Sequence, residues 1–298
     1  MSDYTRVGVV GAGLMGSGIA EVCARAGLDV VVREINEGAV AAGRTRITRS
    51  LDRGLQKGKL TEQERDAALG RLTLTADLDG LADRDLVIEA ATENPGVKAA
   101  LFGDIDRKVK RPDAILATNT SSIPIIEVAR ATSRPAQVIG LHFFNPATVQ
   151  QLVEVIPSVL TSQDVTEGAR AFVTGVLGRT PISAPDRSGF VVNALLVPYL
   201  LSAVRMLEAG HATAGDIDTG MRLGCAHPQG PLELSDLIGL DTLQAVADSM
   251  YAEYAEPLYA APPLLRRMTA AGLLGRKTGR GFYDYTGQPG KPESGAQR

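Results

Sequence analysis

The sequence predicts a doubly wound α/β domain followed by an all-α domain. The first half alternates short β-rich runs with helical stretches, a rhythm typical of a mostly parallel sheet covered by helices on both faces. From Phe190 onward the strand pattern ends and amphipathic helical segments take over. We place the boundary in the intervening stretch rich in Pro, Gly and Asp, and therefore expect two domains, residues 1–184 and residues 185–298.

The strands of the first domain are predicted from short runs rich in Val, Ile and Leu. In chain order these runs are RVGVV, LDVVVRE, RLTLT, RDLVIEAA, DAILATN, AQVIGLHFF and LVEVI. The segment GSGIAEVCARAG between the first two runs is helical and closes at Gly27. Roughly residues 36–70 are helical as well, and this stretch is too long for a simple crossover. It predicts an inserted, protruding helical pair.

The composition excludes several classes of function. With a net charge of -3 and a pI of about 5.7, the chain lacks the clustered Lys and Arg that nucleic-acid binding requires. Cys23 and Cys225 show neither disulfide nor zinc-site spacing, which indicates a reducing compartment. We expect no targeting segment, and the longest apolar run, residues 189–204, is short for a bilayer and interrupted by Asn193 and Pro198. We expect a cytoplasmic homodimer in which this run forms a core or interface helix.

Gly11, Gly13 and Gly16 form a GxGxxG pattern between the first strand and the first helix. This context is typical of a Rossmann-type dinucleotide-binding turn. The first glycine permits the tight turn, the second lets a pyrophosphate approach the backbone, and the third allows close helix–strand packing. The N-terminus of the helix, with Leu14 and Met15, offers free N–H groups to the phosphates.

Glu34 at the end of the second strand predicts NAD as the cofactor. A carboxylate there can accept hydrogen bonds from both ribose hydroxyls of the adenosine, and it repels a 2′-phosphate. The neighbouring Arg33 could accommodate that phosphate, so some use of NADP stays open. The alternative of a structural glycine-rich turn with a surface glutamate is weaker, because strand, turn, helix and acid occur in the right order.

His142 and Glu154 are candidates for a proton-transfer pair. The histidine ends one apolar run, and the glutamate lies in the next, alternating run. Oxidation of a secondary alcohol needs a base for the hydroxyl proton, and imidazole titrates near neutral pH, at about 6.5. A carboxylate behind the ring fixes its tautomer and stabilises the imidazolium. His211 and His227 lie in loop-like stretches without such a partner, and we interpret them as structural.

Two further polar residues are candidates for the site. Ser121 in NTSS follows an apolar strand, and the carboxyl ends of parallel strands face the ligand crevice of such sheets. A helix cap or turn residue is the alternative for Ser121. Asn193 lies in an apolar helix, where a buried amide needs hydrogen-bond partners. A helix-to-helix hydrogen bond is the alternative for Asn193.

Together these segments resemble the L-3-hydroxyacyl-CoA dehydrogenase family, and within it the short bacterial 3-hydroxybutyryl-CoA dehydrogenases. The resemblance extends from the glycine-rich turn to GRKTGRGFYDY and includes ATNTSS, GLHFFNP, LVEVI, DRSGFVVN and GPLELSDLIGLD. It implies NAD-dependent, reversible oxidation of (S)-3-hydroxybutyryl-CoA, or another short-chain 3-hydroxyacyl-CoA, to the 3-oxoacyl-CoA without a metal ion. It implies His142 as the catalytic base and Glu154 as the residue that orients it.

The resemblance also implies roles for residues that the pattern alone leaves open. Ser121 and Asn193 would hold the substrate oxygen, and Ser121 would also contact the cofactor. Further residues that would line the cofactor are Glu93, Lys98, Asn145 and Lys277. Each of those four could equally be a solvated charge or a turn residue.

A basic helix face in the inserted pair is a candidate for binding coenzyme A. The residues on this face are Arg46, Ser50, Arg53 and Lys57, and the opposite, buried stripe is Ile47, Leu51 and Leu55. The resemblance assigns contacts with coenzyme A to Ser50 and Lys57, whereas a merely solvated charged face is the usual alternative. Ser188 and Ala194 stand where the family often has proline and arginine, which puts the preferred acyl length in doubt.

Two other functions compete with this interpretation. A β-hydroxyacid dehydrogenase that acts on a free acid has a similar two-domain plan, but it relies on a catalytic lysine and lacks the HFFNP segment. A non-catalytic, crystallin-like relative that kept the dinucleotide fold is the second rival. The presence of His142, Glu154, Ser121 and Asn193 argues against it.

Overall fold

The computed structural model describes residues 4–287, and the chain divides into two compact units between Phe190 and Val191. The division after residue 184 that the composition predicts stays a prediction. The polar tail from residue 288, which the sequence predicts to fray, lies outside the described residues.

The first unit is built around one sheet of eight strands. The strands are β1 (Arg6–Val10), β2 (Asp29–Arg33), β3 (Leu72–Thr75), β4 (Leu86–Glu89), β5 (Ile115–Thr118), β6 (Val138–Phe143), β7 (Leu152–Pro157) and β8 (Thr180–Ser183). Their order in the sheet is β3-β2-β1-β4-β5-β6-β7-β8. All neighbouring pairs are parallel except β6 and β7, which are antiparallel. The predicted doubly wound, mostly parallel sheet is confirmed.

Strand β8 was not predicted, and it occupies part of the stretch that we assigned to the domain boundary. Its sequence TPIS is short and contains a proline, and none of its residues is fully buried. Proline lacks an N–H donor and is tolerated in a sheet mainly at the edge. An edge strand of this kind carries no apolar run that a sequence pattern could reveal.

Among the described residues, six α-helices belong to the first unit, and they cover the sheet. They are α1 (Leu14–Arg25), α2 (Glu37–Gln56), α3 (Glu62–Gly70), α4 (Pro95–Lys108), α5 (Ile125–Ala129) and α6 (Gln163–Ala171). The core joins Val9 of the central strand to Ile19 and Cys23 of α1 and to Phe172, which follows α6. Covered strands bury both of their faces, which explains their unbroken apolar sequences.

The predicted helical pair corresponds to α2 and α3. Asn36 caps α2 by accepting a hydrogen bond from the Ala39 N–H, and Thr61 forms a capping box with Glu64 at the start of α3. In the buried stripe predicted for α2, Ile47 and Leu51 are fully buried, whereas Leu55 is only half-buried because it lies in the last turn. The pair is therefore anchored to the core of its own unit.

In the part of the second unit that the structure describes, there are five α-helices. They are α7 (Val192–Glu208), α8 (Ala214–Gly224), α9 (Pro231–Ile238), α10 (Leu240–Tyr254) and α11 (Pro263–Ala270). Two buried aspartates tie α8 and α9 to the segment GFYDY. Asp218 of α8 accepts hydrogen bonds from the Leu232 N–H and the Tyr283 hydroxyl, and Asp236 of α9 accepts them from the Phe282 and Tyr283 N–H groups. Part of the motif that carried the family resemblance is therefore structural. The predicted all-α character of this unit is confirmed.

Helix α7 contains most of the longest apolar run of the sequence. The helix begins at Val192, so the first residues of the run precede it. Leu200 and Leu201 are fully buried, whereas Leu195 is 75% exposed and Met206 is 45% exposed. Within residues 4–287, neither α7 nor any other helix is long and apolar enough to cross a membrane.

Candidate active site

His142 and Glu154 face each other across the antiparallel pair of β6 and β7. The register places the two residues directly opposite, and their side chains lie on the same face because cross-strand partners share a face. His142 Nδ1 lies 2.7 Å from Glu154 Oε2, and the two residues are 5% and 0% exposed. With the carboxylate accepting from Nδ1–H, the tautomer leaves Nε2 as a hydrogen-bond acceptor.

Ser121 meets the other nitrogen of the ring. Its Oγ lies 3.1 Å from His142 Nε2, just beyond the carboxyl end of β5, which pairs in parallel with β6. The rings of Phe144 and Phe190 pack around the imidazole at centroid distances of 4.6 Å and 5.5 Å. The hydroxyl, the imidazole and the carboxylate therefore form one hydrogen-bonded chain, which can move a proton to or from an oxygen near Ser121.

Glu93 fixes the loop that carries Ser121. Its Oε1 accepts a hydrogen bond from the Ser121 N–H at 3.0 Å, and its Oε2 accepts one from the Thr120 hydroxyl at 2.7 Å. The carboxylate therefore lies next to the proton-transfer chain, in the loop after β4. The role in cofactor binding that the resemblance implies for Glu93 stays a prediction.

The glycine-rich turn has the shape that a pyrophosphate requires. Gly11 has a φ of +92°, and a Cβ on it would lie 2.6 Å from Ala91 Cα. A Cβ on Gly16 would lie 1.8 Å from the Gly11 oxygen, whereas one on Gly13 would meet open space. Helix α1 begins after Gly13 without a side-chain cap, so its first N–H groups are available. The turn therefore fits a dinucleotide phosphate.

Glu34 lies against this turn. Its Oε1 accepts a hydrogen bond from the Ala12 N–H at 2.5 Å, and its Oε2 accepts one from the Ile35 N–H at 3.0 Å. The carboxylate is only half-buried, so it can also accept hydrogen bonds from ribose hydroxyls. The Glu34 side chain can therefore both stabilise the turn and bind a ribose.

Lys98 lies in a buried cluster that the sequence did not reveal. It is 1% exposed and pairs with Glu89, which is 0% exposed, while the Thr118 hydroxyl donates to Glu89 Oε2 at 3.0 Å. Glu89 Oε1 also accepts from the Ala91 N–H at 2.8 Å. The cluster supports the loop after β4. The cofactor contact predicted for Lys98 is not tested by these interactions.

Asn119, like Glu89, is a residue near the site that sequence analysis missed. Its Oδ1 accepts a hydrogen bond from the Phe143 N–H at 2.8 Å and thereby ties the end of β5 to the end of β6, next to His142. Polar residues at or directly after the end of a buried strand, as in ATNTSS and VIEAAT, are the signal that could have indicated both Asn119 and Glu89.

The remaining predicted site residues occupy varied environments. Asn145 is exposed, and Ser50 is half-buried near Glu21. Lys57 is exposed and follows the last residue of α2, so it does not lie in the helix itself. In the second unit, Asn193 is the second residue of α7, and the Lys277 ammonium pairs with Asp241. The structure thus joins Ser121, His142, Glu154 and Glu93, and the roles of the others stay predictions.

Comparison with known proteins identifies the family of both units. The profile described as 3-hydroxyacyl-CoA dehydrogenase, NAD binding domain, matches residues 6–187, and that of the C-terminal domain of the same family matches residues 189–285. The chain is 58% identical over 286 residues to a 3-hydroxybutyryl-CoA dehydrogenase of Mycobacterium tuberculosis, covering 96% of this chain and 100% of that protein.

Solved structures show the same similarity. FadB2 of Mycobacterium tuberculosis superposes with a TM-score of 0.94 at 57% identity, covering 95% of this chain and 99% of that chain. The (S)-3-hydroxybutyryl-CoA dehydrogenase PaaH1 of Ralstonia eutropha gives a TM-score of 0.90 at 46% identity, covering 95% of this chain and 100% of that chain. The chain belongs to the 3-hydroxyacyl-CoA dehydrogenase family. The predicted class of oxidoreductase and the predicted cofactor, NAD, are confirmed.

Proposed function

We propose that this protein catalyses the reversible, NAD-dependent oxidation of (S)-3-hydroxybutyryl-CoA, or of a similar short 3-hydroxyacyl-CoA, to the 3-oxoacyl-CoA. The observation that supports the proposal is the chain Ser121–His142–Glu154 in a domain of the NAD-binding type. Relatives that are similar over their whole length carry this substrate in their names.

His142 acts as the base in this proposal. Its Nε2 accepts the proton of the 3-hydroxyl as the C–H bond transfers its hydride, and it returns the proton in the reverse direction. Glu154 accepts from Nδ1–H throughout, so the positive charge that develops on the buried ring has an adjacent carboxylate. When bound, NAD supplies the hydride acceptor.

Ser121 positions the substrate oxygen. Its hydroxyl lies within hydrogen-bond distance of Nε2, so an alcohol oxygen placed between the two side chains would contact both. The Glu93 carboxylate keeps the serine in place by accepting a hydrogen bond from the Ser121 backbone N–H. Asn193 is the further oxygen ligand that the resemblance predicts, and we retain it as part of this proposal.

The cofactor is held mainly by backbone groups. The residues assigned to it are Gly11, Gly13, Leu14, Met15 and Gly16 for the pyrophosphate and Glu34 for the adenosine ribose. Around the nicotinamide we retain Glu93, Lys98, Ser121, Asn145 and Lys277 as proposed contacts. Ser50 and Lys57 are retained as proposed contacts of coenzyme A.

The test is the oxidation of NADH on addition of acetoacetyl-CoA, measured as loss of absorbance. We expect turnover with the CoA ester and none with acetoacetate, because the free acid lacks the group that the family binds. A series of esters of increasing chain length, with NADH and NADPH, gives the acyl and cofactor preference. No turnover with any ester would contradict the proposal and favour a non-catalytic dinucleotide-binding protein.

We also propose that the protein is a cytoplasmic homodimer. The support is that two large apolar side chains of α7, Leu195 and Met206, are exposed, since exposed apolar surface can mark an interface. Light scattering on the purified protein tests the dimer, and a monomeric mass at assay concentration would exclude it. Leu195→Glu should lower the mass if α7 forms the interface.

A further inference from the structure

A cleft in the first unit, separate from the candidate active site, is lined by more basic than acidic residues, and one of them, Arg25, forms a long ion pair of 3.6 Å with Glu21. It has a volume of about 730 Å³ and lies among the end of α1, the start of α3 and the turn before β8. Its basic lining residues are Arg25, Lys59, Arg71 and Arg179, and its acidic lining residue is Glu64. The carboxylate of Glu64 is already engaged by Thr61 in the capping box of α3. The cleft is therefore suited to an anion.

Arg179 is the decisive residue, because it is a buried guanidinium without a carboxylate. It is 9% exposed, and among the ion pairs of residues 4–287 none involves it. Its Nη1 donates to the Gln150 carbonyl, which is uncharged. Burial, and then the charge of Arg25, lower the pKa of Arg179 below its usual value. Burying such a charge costs free energy unless a counter-charge is present.

Arg134 shows how this same domain treats a partly buried arginine that has only a structural role. Its Nε donates to Asp106 Oδ1 at 2.6 Å, and its remaining groups donate to the carbonyls of Arg111, Asp106 and Val109. The guanidinium of Arg134 thus has a carboxylate and three carbonyl groups of the chain as partners. Arg179 has no such carboxylate among the described residues, and it lines an open cleft.

We propose that this cleft binds a phosphate group of a small organic phosphate, with Arg179 and Arg25 as its anchoring residues. Arginine is suited to phosphate because its planar fork donates two parallel hydrogen bonds, and an anion would compensate the charge of Arg179, to which Arg25 adds a second, only loosely paired guanidinium. The cleft is lined by neither Ser50 nor Lys57, nor by the glycine-rich turn or His142. It is therefore distinct from the sites assigned above, and the proposal does not depend on the proposed function.

The first experiment measures binding of inorganic pyrophosphate to the purified full-length protein by calorimetry. We expect saturable binding that weakens with added NaCl, because phosphate contacts by arginine are screened by salt. Arg179→Met should weaken this binding by at least about tenfold, since it removes a charge-assisted hydrogen-bond pair. Arg107→Met is the matched control, because Arg107 is 71% exposed and lies outside the cleft. It should bind pyrophosphate like the wild type.

Thermal unfolding separates a binding role of Arg179 from a structural one. If the charge serves a ligand, Arg179→Met should have an unchanged or higher Tm without pyrophosphate and should lose the rise in Tm that pyrophosphate causes in the wild type. If the residue is structural, the variant should have a lower Tm without pyrophosphate, and pyrophosphate should raise its Tm as much as it raises that of the wild type. Arg71→Met, at the exposed edge of the cleft, should weaken binding without changing the Tm of the free protein. The proposal is overturned by absent binding to the wild type, by undiminished binding to Arg179→Met, or by the structural pattern of Tm.

A second probe, adenosine 3′,5′-bisphosphate, identifies the source of the phosphate. If it binds in an Arg179-dependent manner and competes with acetoacetyl-CoA, the phosphate is that of the coenzyme A nucleotide. If pyrophosphate binds but leaves the KM of acetoacetyl-CoA unchanged, the ligand is a separate phosphorylated compound. Turnover is measured on the same samples. Turnover without anion binding would reject only the proposed phosphate site. Anion binding without turnover would reject only the proposed function.

Discussion

The cofactor turn and the proton-transfer pair lie on different strands of one sheet, and they are built by different means. The turn after β1 uses backbone conformation, with Gly11 at a positive φ and Gly13 open to a ligand. The pair uses side chains that the antiparallel register of β6 and β7 places opposite each other. The turn therefore depends on residues adjacent in sequence, whereas the pair depends on strands folding together. Substitutions at the two places should change different kinetic constants.

The largest effect is expected for His142→Gln. Removal of the base should lower kcat by roughly 10²–10⁴-fold, because general acid–base catalysis contributes about that much. NADH binding, measured by fluorescence, should be unchanged, since the glycine-rich turn is intact. His211→Gln, at an exposed position, is the control and should turn over normally. Normal turnover of the His142 variant would show that the base is another group.

Glu154→Gln should have the next largest effect. The neutral amide no longer stabilises the imidazolium and can hold the ring in the wrong tautomer, so we expect kcat to fall by roughly 10- to 1000-fold. The Michaelis constants should change little, which is checked in the same steady-state assay. Glu127→Gln on the exposed side of α5 is the matched control. If the KM for NADH rose by as large a factor as kcat fell, the substitution would have disturbed the sheet and not only removed charge stabilisation.

Glu34→Gln tests the cofactor side of the comparison. Glutamine keeps an acceptor for the Ala12 N–H but loses the negative charge that repels a 2′-phosphate. We expect the ratio of kcat/KM for NAD to that for NADP to fall about tenfold or more, with kcat for NAD nearly unchanged. An unaltered ratio would mean that the carboxylate only holds the turn.

Glu93→Gln should have the smallest of these effects. Its carboxylate holds Ser121 and Thr120 from an exposed loop, and a hydrogen bond of this kind contributes about 1 kcal/mol, so kcat should fall by roughly 3- to 10-fold. Thr120→Ser, which keeps a hydroxyl for Glu93 and for the Ser122 and Ile123 N–H groups, is the matched control and should turn over nearly like the wild type. A loss as large as that of His142→Gln would show that Glu93 contacts the reacting groups directly.

Much of the fold could be predicted because its signals are local. The apolar runs predicted β1 to β7, and the glycine spacing predicted the turn before α1, since a strand buried on both faces and a tight turn each restrict consecutive residues. Strand β8 was missed because an edge strand needs no apolar run. The second unit was correctly predicted as helical from its 3.6-residue periodicity.

The features of the site also divide into those that local sequence determines and those that tertiary contacts determine. The sequence by itself determined the dinucleotide turn, the acid at Glu34 and, through the family resemblance, the identity of His142 and Glu154 as a pair. Only the tertiary structure decided that these two side chains meet across β6 and β7, that Glu89 and Lys98 form a buried ion pair, and that Arg179 is buried beside an open cleft. The physical reason is that hydrogen-bond partners and burial depend on contacts between residues far apart in the chain, which no short pattern encodes.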